Sequence, residues 1–252
     1  MGGDYGGYTA PEAHPMVTTR GRLDGSGHPD TATEGTWNLE DAEELFVFVH
    51  GLNTTAADAR NQAYTAELGL AEYLPAPVVG YSWDSDTDWA EAKRNATANG
   101  GTLADWLVEW ADTDGRPIHL IGYSLGAQVS CEALRTLDSD GHADVPASVT
   151  LLGAAVPGDS VTLAGRYGAA IDSADGPVGN FYSGNDRVLR WMYRAAERTR
   201  AAGSHGVHGG GAVPSGYRDV DVTDLVADHH SYFQPGEGCL REVAERIESS
   251  RP

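Results

Sequence analysis

The pentapeptide Gly122-Tyr123-Ser124-Leu125-Gly126 constrains this chain more than any other stretch. A short apolar run, Ile118-His119-Leu120-Ile121, leads into it, and residues 127–134 continue with a helical pattern. The result is G-x-S-x-G between a strand and a helix, the setting in which this short motif carries structural meaning. A serine on so sharp a turn holds its hydroxyl above the sheet. The flanking glycines are expected to supply space and unusual backbone angles, because a Cβ there would clash. Ser124 is therefore the candidate nucleophile.

The rest of the chain supplies the sheet that such a turn needs. Leu45-Phe46-Val47-Phe48-Val49 is a continuous apolar run suited to burial on both faces. Residues 77–82, 118–121, 148–156, 178–183 and 217–222 read as further strands. Helical patterns fall between them, at residues 56–74, 127–134, 160–171, 187–202 and 237–249. A long amphipathic stretch carries Trp89, Leu103, Trp106 and Trp110, with a break expected at Asn99-Gly100-Gly101. Strands alternating with helices imply the α/β class: a mainly parallel central sheet with helices on both faces. No repeat or linker interrupts residues 1–252, so a single domain is expected. Residues 1–40 read as a polar extension or as edge strands at residues 16–20 and 37–39. Only a short helix fits between residues 156 and 178, so the expected cap is minimal or absent.

Charge narrows the partners. The chain has 37 acidic and 17 basic residues, a net charge of −20, and Lys93 is its single lysine. Through the field of the whole molecule such a surface repels nucleic acid and anionic membranes. Acid excess with so little lysine resembles the cytosolic proteins of salt-accumulating halophiles, archaea among them. A cytoplasmic location is expected, and a fold that weakens at low salt, because only molar salt screens the self-repulsion within about 3 Å. No apolar run reaches the roughly 18 residues of a membrane span. Residues 1–5 lack the pattern of a secretory signal. Cys131 and Cys239 do not form a metal-spaced cluster. Cys131 reads as a small buried hydrophobe, and a disulfide between the two stays open.

A serine hydroxyl is a weak nucleophile and needs an adjacent base, normally a histidine oriented by a carboxylate. On an α/β-hydrolase scaffold these follow the serine in the order acid, then histidine, each past the end of a strand. Asp186 follows the strand at residues 178–183 and is the preferred acid. Its alternative role is to cap the next helix, and Asp159 is the rival acid. His229 and His230 follow the last strand, and either fits the position of the base. His50-Gly51-Leu52 follows the Leu45 strand, where this scaffold places one backbone donor of an oxyanion hole. The residue after the nucleophile supplies the other, so Leu52 and Leu125 are the expected donors. His50 is expected to brace the turn. Trp83 and Tyr123 are the expected substrate-contacting side chains, with Trp89 at the rim or in the core. His205 and His208 have metal-like spacing without acidic or thiol ligands beside them, so no metal or organic cofactor is expected. The sequons at Asn53 and Asn95 read as chance.

Residues 46–134 resemble an α/β-hydrolase family of uncharacterised function. Its members combine an F-V-H-G-[YF]-N loop, an F-S-W-P-S strand end and an H-S-M-G elbow. Here these are Phe48-Val49-His50-Gly51-Leu52-Asn53, Gly80-Tyr81-Ser82-Trp83-Asp84-Ser85 and the Ser124 pentapeptide. Residues 182–189 resemble the family's acid-bearing strand end. Asp221-Val222-Thr223, then His230-Ser231-Tyr232-Phe233, resembles its terminal histidine motif. There the histidine directly precedes Ser-Tyr, which selects His230 over His229. Asp84 stands in place of a proline, and Tyr123 in place of the histidine before the serine. Both departures bear on substrate preference. The resemblance implies an α/β-hydrolase fold in which Ser124, His230 and Asp186 cleave a small carboxylic ester through an acyl-enzyme. A thioesterase, an acyltransferase and a catalytically silent binding protein are the alternatives.

Overall fold

The computed structural model describes residues 8–208 and 210–251. In chain order the elements are β1 (Met16–Thr18), β2 (Ala32–Glu34), β3 (Leu45–Val49), α1 (Ala56–Leu70), β4 (Val78–Ser82), α2 (Trp89–Thr113), β5 (Ile118–Tyr123), α3 (Gly126–Asp140), β6 (Pro146–Leu152), α4 (Gly168–Ser173) and β7 (Val178–Tyr182). A π-helical turn (Val188–Tyr193) then runs into α5 (Arg194–Glu197), followed by α6 (Ala202–His205), β8 (Tyr217–Asp221) and α7 (Leu240–Ser249). Residues 1–7 of the expected N-terminal extension lie outside the described residues.

The strands form one sheet in the order β2-β1-β4-β3-β5-β6-β7-β8. Only the β1–β2 pair is antiparallel. Alternation along each strand separates two cores, because successive side chains point to opposite faces. Val47 and Val49 of β3 pack with α2, α3 and α4, whereas Phe46 and Phe48 pack with α1 and α7. Cys131 belongs to the first core and Cys239 to the second, and both are free thiols. Burial pushes both thiols up.

Four departures of the fold from the sequence expectations bear on the packing and the site. First, β1 is not an edge strand, since β2 covers it, and no strand forms at residues 37–39. Second, α2 runs unbroken through Asn99-Gly100-Gly101. Gly100 is there for packing: a Cβ on it would lie 2.3 Å from Glu132 Cβ of α3, while one on Gly101 would meet nothing within 4 Å. Third, residues 187–202 are not one helix. The left-handed Arg198 (φ 58°) stops α5.

Fourth, the elbow glycines supply space only. Neither Gly122 nor Gly126 has a positive φ; the left-handed residue is Ser124 itself, at φ 54°. A Cβ on Gly126 would lie 2.1 Å from the Val49 carbonyl oxygen, and one on Gly122 would lie 2.5 Å from Ser130 Oγ. A non-glycine residue in this region costs about 1–2 kcal/mol, borne by the packed strands on either side. Among the described residues no helix is long and apolar enough to cross a membrane.

Candidate active site

Ser124 lies between the end of β5 and the start of α3, with its N–H donating to the Leu152 carbonyl at the end of β6 (3.0 Å). Its hydroxyl donates to His229 Nε2 (2.9 Å), and His229 Nδ1 donates to Asp186 Oδ2 (2.6 Å). A carboxylate only accepts, which fixes the proton on Nδ1 and leaves Nε2 the acceptor. Ser124, His229 and Asp186 are all buried, Asp186 completely. Asp186 makes the contacts that its preferred reading and its alternative would each require. Its Oδ1 accepts from the Leu189 N–H (2.9 Å), capping the π-helical turn, while Oδ2 faces the histidine. Tyr232 donates to the Gly203 carbonyl (3.1 Å), and its hydroxyl stands 3.4 Å from the same Oδ2. The rival acid, Asp159, is exposed in the loop after β6.

The expectation for His230 is corrected. His229 holds the position between Ser124 and Asp186, and His230 stands at the rim with Nδ1 3.3 Å from the Tyr123 hydroxyl. A tight turn explains the change of register. Asp228 Oδ1 accepts from the His230 N–H (2.8 Å) and from Ser231 Oγ (2.8 Å), which bends the chain so that residue 229 faces inward. Tyr123 locks that turn by donating to the His229 carbonyl (2.9 Å), and its ring packs 5.2 Å from the His229 ring. Crowding by protein atoms, and then repulsion from His229 when that ring is protonated, hold the His230 imidazole below its usual value.

Gly51 and Leu52 follow β3 directly beside the nucleophile. A Cβ on Gly51 would lie 2.7 Å from Ser124 Cβ and 3.2 Å from Oγ. Among the described residues neither the Leu52 N–H nor the Leu125 N–H finds an acceptor in the chain. The start of α3 adds its partial positive charge at the same point.

His50 braces this loop, as expected. Its Nδ1 donates to the Gly51 carbonyl (2.9 Å), and Nε2 accepts from the Trp83 N–H (3.1 Å). Burial, then the nearby Arg20 charge, lower its pKa to about 3, so the ring is neutral. Trp83 departs from expectation: it is fully buried, stacks on His50 at 5.5 Å and donates through Nε1 to the His50 carbonyl (3.0 Å). It shapes the loop from behind and does not line the cleft. Sequence reasoning missed Arg20. From beyond β1 it donates to the Thr54 carbonyl (2.6 Å) and to Ser82 Oγ (2.7 Å), tying the loop to β4. Nothing local in Thr18-Thr19-Arg20 signals that reach.

A cleft of about 370 Å³ opens beside Ser124, floored by Tyr123 and Leu52 and walled by Trp89, Leu189, Met192 and Tyr193. Apart from Trp89 of α2, the wall is the strap formed by the π-helical turn and α5. The cleft wall thus follows β7, and the segment after β6, where a minimal or absent cap was expected, carries only the short α4. Glu197 fastens the strap to α2, accepting from Trp89 Nε1 (2.6 Å) and from Lys93 Nζ (2.7 Å). His205 and His208 turn to Ser204 and Thr199 respectively. Among the described residues no three His, Cys, Asp or Glu side chains gather as metal ligands.

The model of a family described as "Protein of unknown function (DUF726)" matches residues 40–245. The chain is 34% identical over 173 residues to the Transmembrane and coiled-coil domain-containing protein STS1 of Oryza sativa subsp. japonica, an alignment covering 67% of this chain and 24% of that protein. It is 32% identical over 149 residues to an uncharacterized membrane protein of Schizosaccharomyces pombe, covering 58% of this chain and 18% of that one. The chain therefore spans about a quarter or less of these relatives. Among solved structures, an esterase of Pyrobaculum calidifontis aligns with a TM-score of 0.51 at 14% identity, over 97% of this chain and 87% of its own. The mature Bacillus licheniformis lipase BlEst2 aligns at 0.50 and 18% identity, over 82% and 93%. At these identities the likeness is one of fold, and the fold is that of the α/β-hydrolases.

Proposed function

This chain belongs to the DUF726 family of proteins of unknown function, and on that premise we propose that it is a serine hydrolase that cleaves carboxylic esters through an acyl-enzyme. The observation that carries the reading is the continuous line of two hydrogen bonds from Ser124 through His229 to the buried Asp186. In the reaction Ser124 Oγ bonds to the substrate's carbonyl carbon while its proton passes to His229 Nε2. The N–H groups of Leu52 and Leu125 hold the oxyanion that forms. Collapse breaks the ester C–O bond, and the leaving alkoxide takes the proton from Nε2. Water then attacks the acyl-enzyme, giving a proton to the same nitrogen, and the proton returns to Ser124 as its oxygen leaves. Asp186 stays ionised and stabilises the imidazolium.

The mainly apolar cleft supports a substrate with a modest acyl chain. The acid excess and single lysine support a protein adapted to concentrated salt, and assays belong there. A fluorophosphonate probe in molar salt tests the reading. Wild type should be labelled on Ser124 and Ser124→Ala should not; folded wild type that stays unlabelled would overturn the hydrolase and leave a binding protein on the same fold.

A further inference from the structure

The net charge of −20 conceals a local reversal. Residues 187–200 contain the arginines Arg187, Arg190, Arg194, Arg198 and Arg200 against one acid, Glu197. Glu197 is already committed to Trp89 and Lys93. All five arginines are exposed, and among the described residues none pairs with a carboxylate. In a chain so rich in acids, a run of cations without acidic partners is the exceptional surface. Among these arginines, Trp191 and Met192 are 67% and 69% exposed. Met192 also lines the cleft, so this patch and the cleft mouth share an edge. Arg190, Arg194, Arg200, Ser204 and His205, with Leu189 and Trp191, line a second cavity of about 150 Å³ at the strap. Arg190, Arg194 and Arg200 converge on that cavity, and burial, then the charges of Arg200 and Arg190, hold His205 below its usual value.

We propose that the strap is a docking surface for a bilayer that contains anionic phospholipid. Trp191 and Met192 enter the headgroup layer, the arginines pair with lipid phosphates, and the cleft mouth turns toward the lipid. Exposed apolar side chains flanked by cations are the composition of an interfacial segment, since neither water nor hydrocarbon alone suits both. Trp191 and Met192 favour lipid over nucleic acid, which would be held by the cations alone or by stacking on one ring. At ~0.15 M salt a charge acts over only about 8 Å, which limits the opposition of the acidic remainder to the acids beside the strap, such as Asp159.

The test is sedimentation with vesicles of phosphatidylcholine, with and without phosphatidylglycerol, in a salt series from ~0.15 M to ~1 M with the far-UV spectrum recorded at each step, and the preference for anionic vesicles should fall as salt rises. Wild type and Ser124→Ala should pellet equally with the anionic vesicles, at least roughly tenfold better than with neutral ones, because each surface arginine contributes about fivefold at physiological salt. Docking is thereby read separately from catalysis. The triple variant Arg190→Gln/Arg194→Gln/Arg198→Gln should lose the preference with its melting temperature unchanged, and Arg241→Gln in α7 should keep it. Trp191→Ala should weaken pelleting with anionic vesicles. Equal binding to both vesicles, or an unaffected triple variant, would overturn the proposal. So would binding of an oligonucleotide or of inorganic phosphate by the same arginines without pelleting, which would assign them to those anions.

Discussion

Gly51→Ala probes the loop beside the nucleophile without removing any proton-carrying side chain. An alanine Cβ would sit 2.7 Å from Ser124 Cβ, whereas ordinary carbon contacts begin near ~3.4 Å. The loop must therefore retreat by about 0.7 Å, or Ser124 must move with its elbow. Ser124 cannot move easily, because the Val49 and His50 backbone oxygens close against Gly126. The retreat falls on Gly51 and Leu52, and it carries the Leu52 N–H away from the oxyanion. Loss of one such donor costs about 10²–10³ in kcat, and a displacement near 1 Å costs roughly 10². We expect kcat to fall about 100-fold with KM within about threefold, since the donor acts on the transition state. The assay is hydrolysis of a short p-nitrophenyl ester in molar salt, with the melting temperature recorded for each protein. A variant that keeps its melting temperature and more than a third of wild-type kcat would refute both the rigid loop and the role of Leu52.

Further outcomes follow from other parts of the molecule. His229→Ala should lower kcat roughly 10⁴-fold or more, whereas His230→Ala should cost far less than the ~10²-fold of a lost proton carrier; the reverse order would restore His230 as the base. His50 binds its proton with a pKa of about 3 in the folded chain against 6.5 unfolded. The unfolded state therefore holds more protons between these values, and stability is lost as pH falls from 6.5 toward 3, at up to about 1.4 kcal/mol per unit. Urea midpoints that stay flat from pH 6.5 to pH 4.5 would contradict the buried neutral ring. In α2, Gly101→Ala should stabilise by about 0.5–1 kcal/mol, while Gly100→Ala, driven against Glu132, should cost about 1–3 kcal/mol. Equal melting temperatures for the two would argue against the close α2–α3 contact.

The parallel strands from β3 to β8 and the elbow were legible because each is written locally. Apolar runs of strand length, a glycine-bounded serine, and an acid just past β7 need no tertiary information. His229 and His230 differ by a turn whose shape is set by Asp228 and by Tyr123 reaching across from β5. A register borrowed from a resemblance could not supply that geometry. Trp83 lies after a strand, where substrate contacts are common, yet His50 draws it inward. Gly100 reads as a helix breaker until the neighbouring helix is present. The strap shows the same limit: its helical pattern is visible, but the π-helical turn and the left-handed Arg198 arise where it must wrap the cleft. Arg20 acts over a distance that no local pattern encodes.

Lys93 holds the strap through Glu197 and is the chain's only lysine. Reagents that seek side-chain amines therefore converge on one atom, the latch of the cleft wall. Acetylation there removes the cation and leaves the Glu197 carboxylate with only the Trp89 indole. Amine coupling to a sensor surface or a dye would thus unfasten the wall whose behaviour it was meant to observe. Used deliberately, the same chemistry becomes a clock: the rate at which Lys93 is modified counts how often the latch opens.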